Sequence, residues 1–145
     1  WDFYGSDRKG ENLFSNCLLA LNAKTGERIW HYQFVHHDLW DRDLPAAPNL
    51  ITLNKDGQAI DAVAQITKSA YVFIFDRETG EPIYPIEEQP VPPSKLIGEE
   101  AWPTQPIPSA PPAFSRNRFT AEDITRRTPE AYAAPSGQTL AAAER

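Results

Sequence analysis

A turn motif that occurs twice in this chain constrains its fold more than any other feature. The motif is Asn/Asp-x-x-Thr-Gly-Glu, it occupies residues 22–27 and 76–81, and Gly80 follows Gly26 by 54 positions. Asn or Asp favours the start of a turn and Gly accepts a positive φ, so each copy predicts a β-hairpin. A hairpin that returns after about 40–50 residues is typical of β-propeller blades.

Short apolar or alternating segments surround both copies of the motif and predict strands. They cover residues 18–21, 28–34, 49–53, 62–66, 71–75 and 82–84. Alternation and β-branched or aromatic content at this length favour strands over helices. We therefore predict an all-β fold with about two four-stranded antiparallel units, and we assign residues 1–88 to a partial β-propeller.

The composition changes after Tyr84, where prolines become frequent. Proline lacks a backbone N–H, so this density argues against helices and central strands and favours an extended path over residues 89–119. Residues 120–145 form the third predicted part. Thr120 and Asp123 have the spacing of a capping box, which predicts a short helix through Arg127, and the Ala-rich end is expected to be helical or frayed.

Charge and cysteine content limit the function classes. The net charge of −6 argues against a nucleic-acid or anionic-membrane partner, and no run approaches the ~20 apolar residues of a membrane span. The single Cys17 excludes an internal disulfide or a cysteine-cluster metal site, and we expect it to be a small buried hydrophobic residue in a strand. Because the sequence begins at Trp1, we expect a piece of a longer protein.

Residues 36–41, His-His-Asp-Leu-Trp-Asp, place two histidines, two aspartates and a tryptophan directly after a predicted strand. Such side chains are costly to bury unless they have specific partners, so the cluster predicts a site at the end of a β-element. Adjacent residues of a strand face opposite sides, so His36 and His37 are not expected to share a metal ion. We predict a structural His36, a His37 that orients a neighbour or lines a substrate wall, and core positions for Trp30 and Trp40.

Several segments together are similar to the pyrroloquinoline quinone (PQQ)-dependent alcohol and glucose dehydrogenases. They are residues 10–14, 20–30, 36–48, 67–69, 75–77, 89–92 and 103–106, and residues 20–30 resemble the tryptophan-docking blade motif of that family. The resemblance covers about the first 110 residues in order. It implies an eight-bladed propeller much longer than this chain, with PQQ and Ca²⁺ in its central channel.

The resemblance assigns roles to two residues. Asp41 closes the His-Asp-x-Trp-Asp motif, where the family has its proposed general base and, in some members, a Ca²⁺ ligand. Lys68 follows 27 positions later, where the glucose-oxidising branch has a lysine that contacts the quinone. Asp41 would accept the hydroxyl proton of the substrate, and Lys68, placed across the quinone from it, would stabilise negative charge on the quinone oxygen.

The same resemblance implies an alcohol, polyol or sugar substrate, a quinone or cytochrome electron acceptor and a periplasmic location. The family's other Ca²⁺ ligands and its PQQ-stacking tryptophan would lie upstream, so we expect this segment alone to be inactive and to bind PQQ weakly or not at all. Its open sheet edges predict contact with the remaining blades or self-association. The alternative is a non-catalytic propeller segment that acts as a binding or assembly scaffold, since the repeat needs neither Asp41 nor Lys68.

Overall fold

The computed structural model describes residues 4–118, 120–123 and 127–128, and within them the strands form three antiparallel sheets. The first sheet pairs β1 with β2, the second has the order β3-β4-β5, and the third pairs β6 with β7. The strands are β1 (Cys17–Leu21), β2 (Arg28–Gln33), β3 (Asn49–Lys55), β4 (Gln58–Ile66), β5 (Val72–Asp76), β6 (Ile86–Pro90) and β7 (Thr104–Pro108). The predicted all-β class is confirmed. No helix among the described residues is long and apolar enough to cross a membrane.

The 54-residue repeat is reproduced in the hydrogen bonds of its two turns. Asn22 Oδ1 accepts from the backbone amides of residues 24 and 25, and Asp76 Oδ1 accepts from those of residues 78 and 79. Each turn closes with the amide of its glycine donating to the carbonyl of residue 22 or 76, at 2.8 and 2.9 Å. A short Asn or Asp side chain that bonds two residues ahead is the mechanism that favours these residue types in turns.

Trp30 joins the two repeat units. Its indole Nε1 donates to the carbonyl of Arg77 at 3.1 Å, and its ring covers the backbone of Gly80. A Cβ at position 80 would lie 2.6 Å from the indole, and Gly80 also has a φ of +77°, so glycine is needed twice over. The predicted role of Trp30 as a blade-docking residue is confirmed.

Aromatic rings from the first two sheets form the core. Phe73 and Phe75 on β5 are 1% and 0% exposed and contact Tyr32 and Phe34 from β2 and the residues after it. Val63 completes the buried cluster from β4. Alternate positions of β5 face this core, as the period of a strand requires, so the loop that follows β2 starts from a rigid base.

The predicted fourth strand of the second unit is shorter than expected. Only Pro82 bridges Phe75, and Ile83 donates its amide to the carbonyl of Ile74 at 2.8 Å. Pro82 has no N–H, so it cannot extend the ladder on that side. In the second unit, the described residues form a three-stranded sheet and one bridge where four strands were predicted. In the first unit, they form two strands.

The proline-rich stretch contains a hairpin in place of a purely polyproline-like path. Strands β6 and β7 pair in register from Ile86 opposite Pro108 to Pro90 opposite Thr104. Backbone bonds from Val91 to Pro103 and from Ser109 to Pro85 flank this ladder. Hydrogen-bonded pairs alternate along an antiparallel ladder, so the prolines of β6 and β7 occupy pairs whose nitrogens face away from the partner strand. A two-stranded sheet has only edge strands, where proline is tolerated.

One half of the predicted capping box is present, and a helix begins at it. Asp123 Oδ2 accepts from the Thr120 amide at 2.7 Å, and a 3₁₀ helix covers Ala121–Asp123. The rest of the helix predicted through Arg127 lies largely outside the described residues, as does the Ala-rich end. The division of the chain at residues 88 and 119 stays a prediction.

Candidate active-site loop

The loop between β2 and β3 carries the predicted cluster and is organised by Asp38. One Asp38 oxygen accepts from the Trp40 amide at 2.9 Å, and the other accepts from the Arg42 amide at 2.6 Å and from Asn16 Nδ2 at 2.9 Å. These bonds wrap the backbone around one carboxylate. They hold Asp41 in the left-handed region, at a φ of 54°, which is uncommon for a residue other than glycine. A strained backbone position of this kind is frequent at functional sites.

Asp41 and Lys68 meet in this structure. Lys68 Nζ lies 3.2 Å from Asp41 Oδ2 and donates to the Asp41 carbonyl at 2.9 Å. Asp43 contacts the same ammonium group. The two side chains were expected on opposite sides of a quinone, whereas here they form a direct ion pair. The turn between β4 and β5 supplies Lys68, and the loop after β2 supplies both carboxylates.

The electrostatics of this group favour the charged forms of both partners. The hydrogen bond that Lys68 donates to Asp43 raises the pKa of Lys68, and Asp41 adds to the effect. The same hydrogen bond lowers the pKa of the Asp43 carboxyl. All three side chains are between about a third and just over half exposed, so water screens the pair and its contribution to stability is small. The arrangement therefore positions charge and contributes little to the free energy of unfolding.

His36 is a buried structural residue, as predicted from the sequence. Its Nδ1 lies 2.6 Å from Gln33 Oε1 and 3.1 Å from a Glu11 carboxylate oxygen, and its Nε2 lies 3.0 Å from Glu88 Oε1. The Gln105 side chain forms two hydrogen bonds with the backbone of His36. It accepts from the His36 amide at 2.9 Å and donates to the His36 carbonyl at 2.7 Å. These contacts fasten the loop to β6 and β7.

His37 is also buried, and it bonds backbone on one side only. Its Nδ1 lies 2.7 Å from the carbonyl of Gly10, while Nε2 has no hydrogen-bond partner among the described residues. Gly5 packs against that nitrogen, where a Cβ would lie 2.1 Å away. Neither histidine is on a strand, because β2 ends at Gln33. The two rings nonetheless point to different partners, as expected.

The predicted core position of Trp40 is wrong. Its side chain is 53% exposed and forms one wall of a cavity of about 260 Å³, together with Trp102, Pro92, Pro93 and His37. The Asp38 hydrogen bond to the Trp40 amide directs this part of the loop outward. An aromatic residue was assigned to the core on composition alone, and the local turn overrides that preference.

A metal site is not formed by the described residues alone. No group of three or more His, Cys, Asp or Glu side chains among them has an arrangement that could hold an ion. Ca²⁺ takes six to eight oxygen ligands, and here the Asp41 carboxylate is instead paired with Lys68. These residues therefore do not fit a Ca²⁺ ion without further ligands.

Three residues of the site were not singled out from the sequence. Asp38 has a local signal, because an Asp side chain readily accepts a hydrogen bond from the backbone amide two residues ahead and so forms an Asx turn. Asp43 has none, since its contact with Lys68 depends on the fold. Gln105 lies in a segment that the family resemblance included, but its pairing with His36 spans 69 positions and cannot be derived locally.

Comparison with known proteins gives a consistent set of relatives. A family model described as the β-propeller domain of PQQ glucose/ethanol/alcohol dehydrogenases matches residues 1–142. The quinoprotein glucose dehydrogenase of Gluconobacter oxydans is 44% identical over 108 residues, which cover 73% of this chain and 13% of that protein. The probable quinate dehydrogenase (quinone) of Xanthomonas campestris pv. juglandis is 39% identical over 125 residues, which cover 85% of this chain and 16% of that protein.

A solved structure shows the same fold. The quinohemoprotein alcohol dehydrogenase of Comamonas testosteroni superposes with a TM-score of 0.51 at 22% identity, and the match covers 83% of this chain and 16% of that one. The chain thus spans only a small part of the length of the proteins it matches.

Proposed function

Because this chain belongs to the PQQ-dependent glucose, ethanol and alcohol dehydrogenase family, we propose that it forms one sector of the active site of a dehydrogenase. The whole enzyme would oxidise an alcohol, a polyol or a sugar to a carbonyl. The observation that carries this proposal is the contact between Asp41 and Lys68, which lie 27 positions apart and meet at a loop held by Asp38. A carboxylate can accept the hydroxyl proton in alcohol oxidation, and a nearby cation can stabilise negative charge that develops there.

Asp41 is the proposed general base. Its carboxylate would accept the proton of the substrate hydroxyl while hydride leaves the adjacent carbon. Lys68 donates to both the carboxylate and the carbonyl of Asp41, so it fixes the direction of the base. The Lys68 ammonium is also a preorganised cation that can stabilise negative charge as it develops nearby.

PQQ, when bound, accepts the hydride equivalent and so supplies the redox chemistry. Of the described residues, Lys68 fits a contact with the quinone, because its side chain is 37% exposed and lines a cavity. A role for Asp41 as a Ca²⁺ ligand would need oxygen ligands from outside the described residues. PQQ and Ca²⁺ are therefore assigned to the complete enzyme, and this segment alone is proposed to be inactive.

The remaining partners follow from the proposed activity. Reduced PQQ must pass its electrons to an acceptor, for which we propose a quinone or a cytochrome, and the proposed location is the periplasm. The proposed substrate is a small molecule with a hydroxyl group, and the relatives' names include both a sugar and the hydroxy acid quinate. The competing proposal, a non-catalytic scaffold, predicts no PQQ-dependent turnover.

Reconstitution of the full-length protein tests the proposal. Apoprotein with Ca²⁺ is assayed for dye-linked oxidation of glucose, glycerol and quinate, with and without PQQ. We expect turnover of at least one substrate, and only when PQQ is present. Stoichiometric PQQ binding without turnover of any alcohol, sugar or polyol would favour a binding role and would contradict the dehydrogenase assignment.

A further inference from the structure

A second cavity, of about 280 Å³, adjoins the contact between Asp41 and Lys68 and has a cationic rim. Three positively charged side chains line it: Arg42 from the loop after β2, Lys68 from the turn between β4 and β5, and Arg116 from the segment after β7. The described residues that line this cavity include no Asp or Glu. We call it the cationic cavity.

The three cations differ in whether a carboxylate pairs with them. Lys68 pairs with Asp41 and Asp43, and Arg116 pairs with Asp123; none of these carboxylates lines the cavity. The Arg42 guanidinium has no hydrogen-bond or ion-pair partner in the part of the chain that the structure describes. Arg42, which also lines the first cavity, therefore has guanidinium donors available for a ligand.

Neutral donors lie beside the cations. The hydroxyl of Ser69 and the amide of Asn117 line the same cavity, and neither side chain has a hydrogen-bond partner within the described residues. A guanidinium offers two parallel N–H groups in a planar fork that matches a carboxylate. The Ser69 and Asn117 groups can bond further oxygen atoms of the same ligand.

The floor of the cationic cavity is apolar. Phe34 and Phe73, which are 3% and 1% exposed, line it together with Val35 and Ile107. A charge next to such a floor interacts more strongly than in bulk water, because the effective dielectric constant is lower. The cavity thus combines an apolar base with a rim that favours anions.

We propose that the cationic cavity binds the carboxylate of a hydroxylated carboxylic acid, and that this acid is the substrate class of the dehydrogenase. The inference rests on the proposed function, since the cavity shares Lys68 with the proposed base. Lys68 both lines the cavity and contacts Asp41, so a ligand held there would lie next to the proposed base. PQQ also carries carboxylates, so the same chemistry has a second source, and the experiment separates the two.

The test uses the full-length, PQQ-loaded protein and two probes, quinate and its uncharged methyl ester. KM is measured for both probes in the natural protein and in the Arg42→Gln, Arg116→Gln and Arg118→Gln variants. Arg118 is the matched control, because it lies in the same exposed segment as Arg116 but does not line the cavity. PQQ affinity of each apoprotein is measured separately by optical titration.

We expect a lower KM for quinate than for its ester, and a loss of that preference of about tenfold in Arg42→Gln, the size of a charge-assisted hydrogen bond. Arg118→Gln should keep the preference. If Arg42→Gln instead weakens PQQ binding about tenfold and leaves the ratio of KM values unchanged, the carboxylate belongs to the cofactor and the substrate class is overturned.

Unchanged KM ratios and PQQ affinities in both the Arg42 and Arg116 variants would overturn the carboxylate site itself. Failure of the proposed function has a different signature, namely no PQQ-dependent turnover of any alcohol. In that case calorimetric titration with quinate and its ester still tests the cavity. Binding of the acid that Arg42→Gln weakens supports the site, and equal or absent binding of both probes contradicts it.

Discussion

At the scale of single residues, the candidate active-site loop depends on side chains that form hydrogen bonds with the backbone. Asp38 accepts hydrogen bonds from two backbone amides of its own loop, and Gln105 forms hydrogen bonds with the backbone of His36. Buried or half-buried polar groups with several such partners are costly to remove, because the partners would be left unsatisfied. The position of Asp41 is therefore set by neighbours that take no part in proton transfer.

Cys17 provides a prediction at this scale. Burial raises the pKa of its thiol to about 11, and the negative charge of Glu11 acts in the same direction. At pH 8 the reactive thiolate should be more than about a hundredfold scarcer than in a free cysteine. We expect iodoacetamide to alkylate the native chain slowly, with a rate that keeps rising toward pH 11, and to alkylate the urea-unfolded chain at an ordinary rate. A native rate that levels off near pH 9 would contradict this.

Sequence reasoning reached part of this residue-scale description. The docking role of Trp30 followed from the resemblance of residues 20–30 to a blade motif, and the structural role of His36 followed from the cost of burying polar side chains without specific partners. The exposure of Trp40 did not follow, since it depends on a turn set by Asp38. The direct contact between Asp43 and Lys68 depends on how two separate turns meet, which no local pattern specifies.

At the scale of elements, the two copies of the turn differ in what covers them. Both glycines have a positive φ, +75° at Gly26 and +77° at Gly80. The Trp30 indole covers Gly80, while a Cβ at Gly26 would meet no described atom within 4 Å. The backbone requirement is thus the same at both positions, and the packing requirement is present only at Gly80.

Because of this difference, Gly26→Ala and Gly80→Ala form a matched pair that separates the backbone penalty from the packing penalty. Gly26→Ala should cost about 1–2 kcal/mol, the penalty for a left-handed Cβ. Gly80→Ala should cost about 1–3 kcal/mol more, because it also displaces the Trp30 ring from its close contact. Urea unfolding of this chain, with each variant compared to the natural sequence, measures both values. Equal costs at the two positions would show that the Trp30 contact does not stabilise the joint between the units.

The strands differ in how well they could be predicted from the sequence. The strands before Tyr84 were predictable from alternation and turn chemistry. The β6–β7 hairpin was not, because the prolines of residues 85–108 argue against strands when they are counted. Proline is excluded only from strand positions whose N–H must bond a neighbouring strand. The register of β6 and β7 keeps their prolines out of those positions. Register is a property of two strands, so a single segment does not reveal it.

At the scale of the whole molecule, this segment supplies one proposed base and one proposed cofactor contact of a much larger ring. The repeat, the docking tryptophan and the family assignment were within reach of the sequence. The proposed Ca²⁺ and PQQ sites would need residues beyond the described ones. The central claim is that Asp41 acts as the general base of this sector.

The most direct test replaces Asp41 with Asn in the full-length, PQQ-loaded protein, with Asp56→Asn as the control. Asp56 lies in the tight turn between β3 and β4 at a φ of 53°, which Asn tolerates, and it is remote in sequence from the loop. Dye-linked turnover and PQQ affinity are measured for both. We predict that Asp41→Asn lowers kcat by at least about a hundredfold and retains PQQ, while Asp56→Asn changes neither. Near-normal kcat in PQQ-loaded Asp41→Asn protein would contradict the assignment.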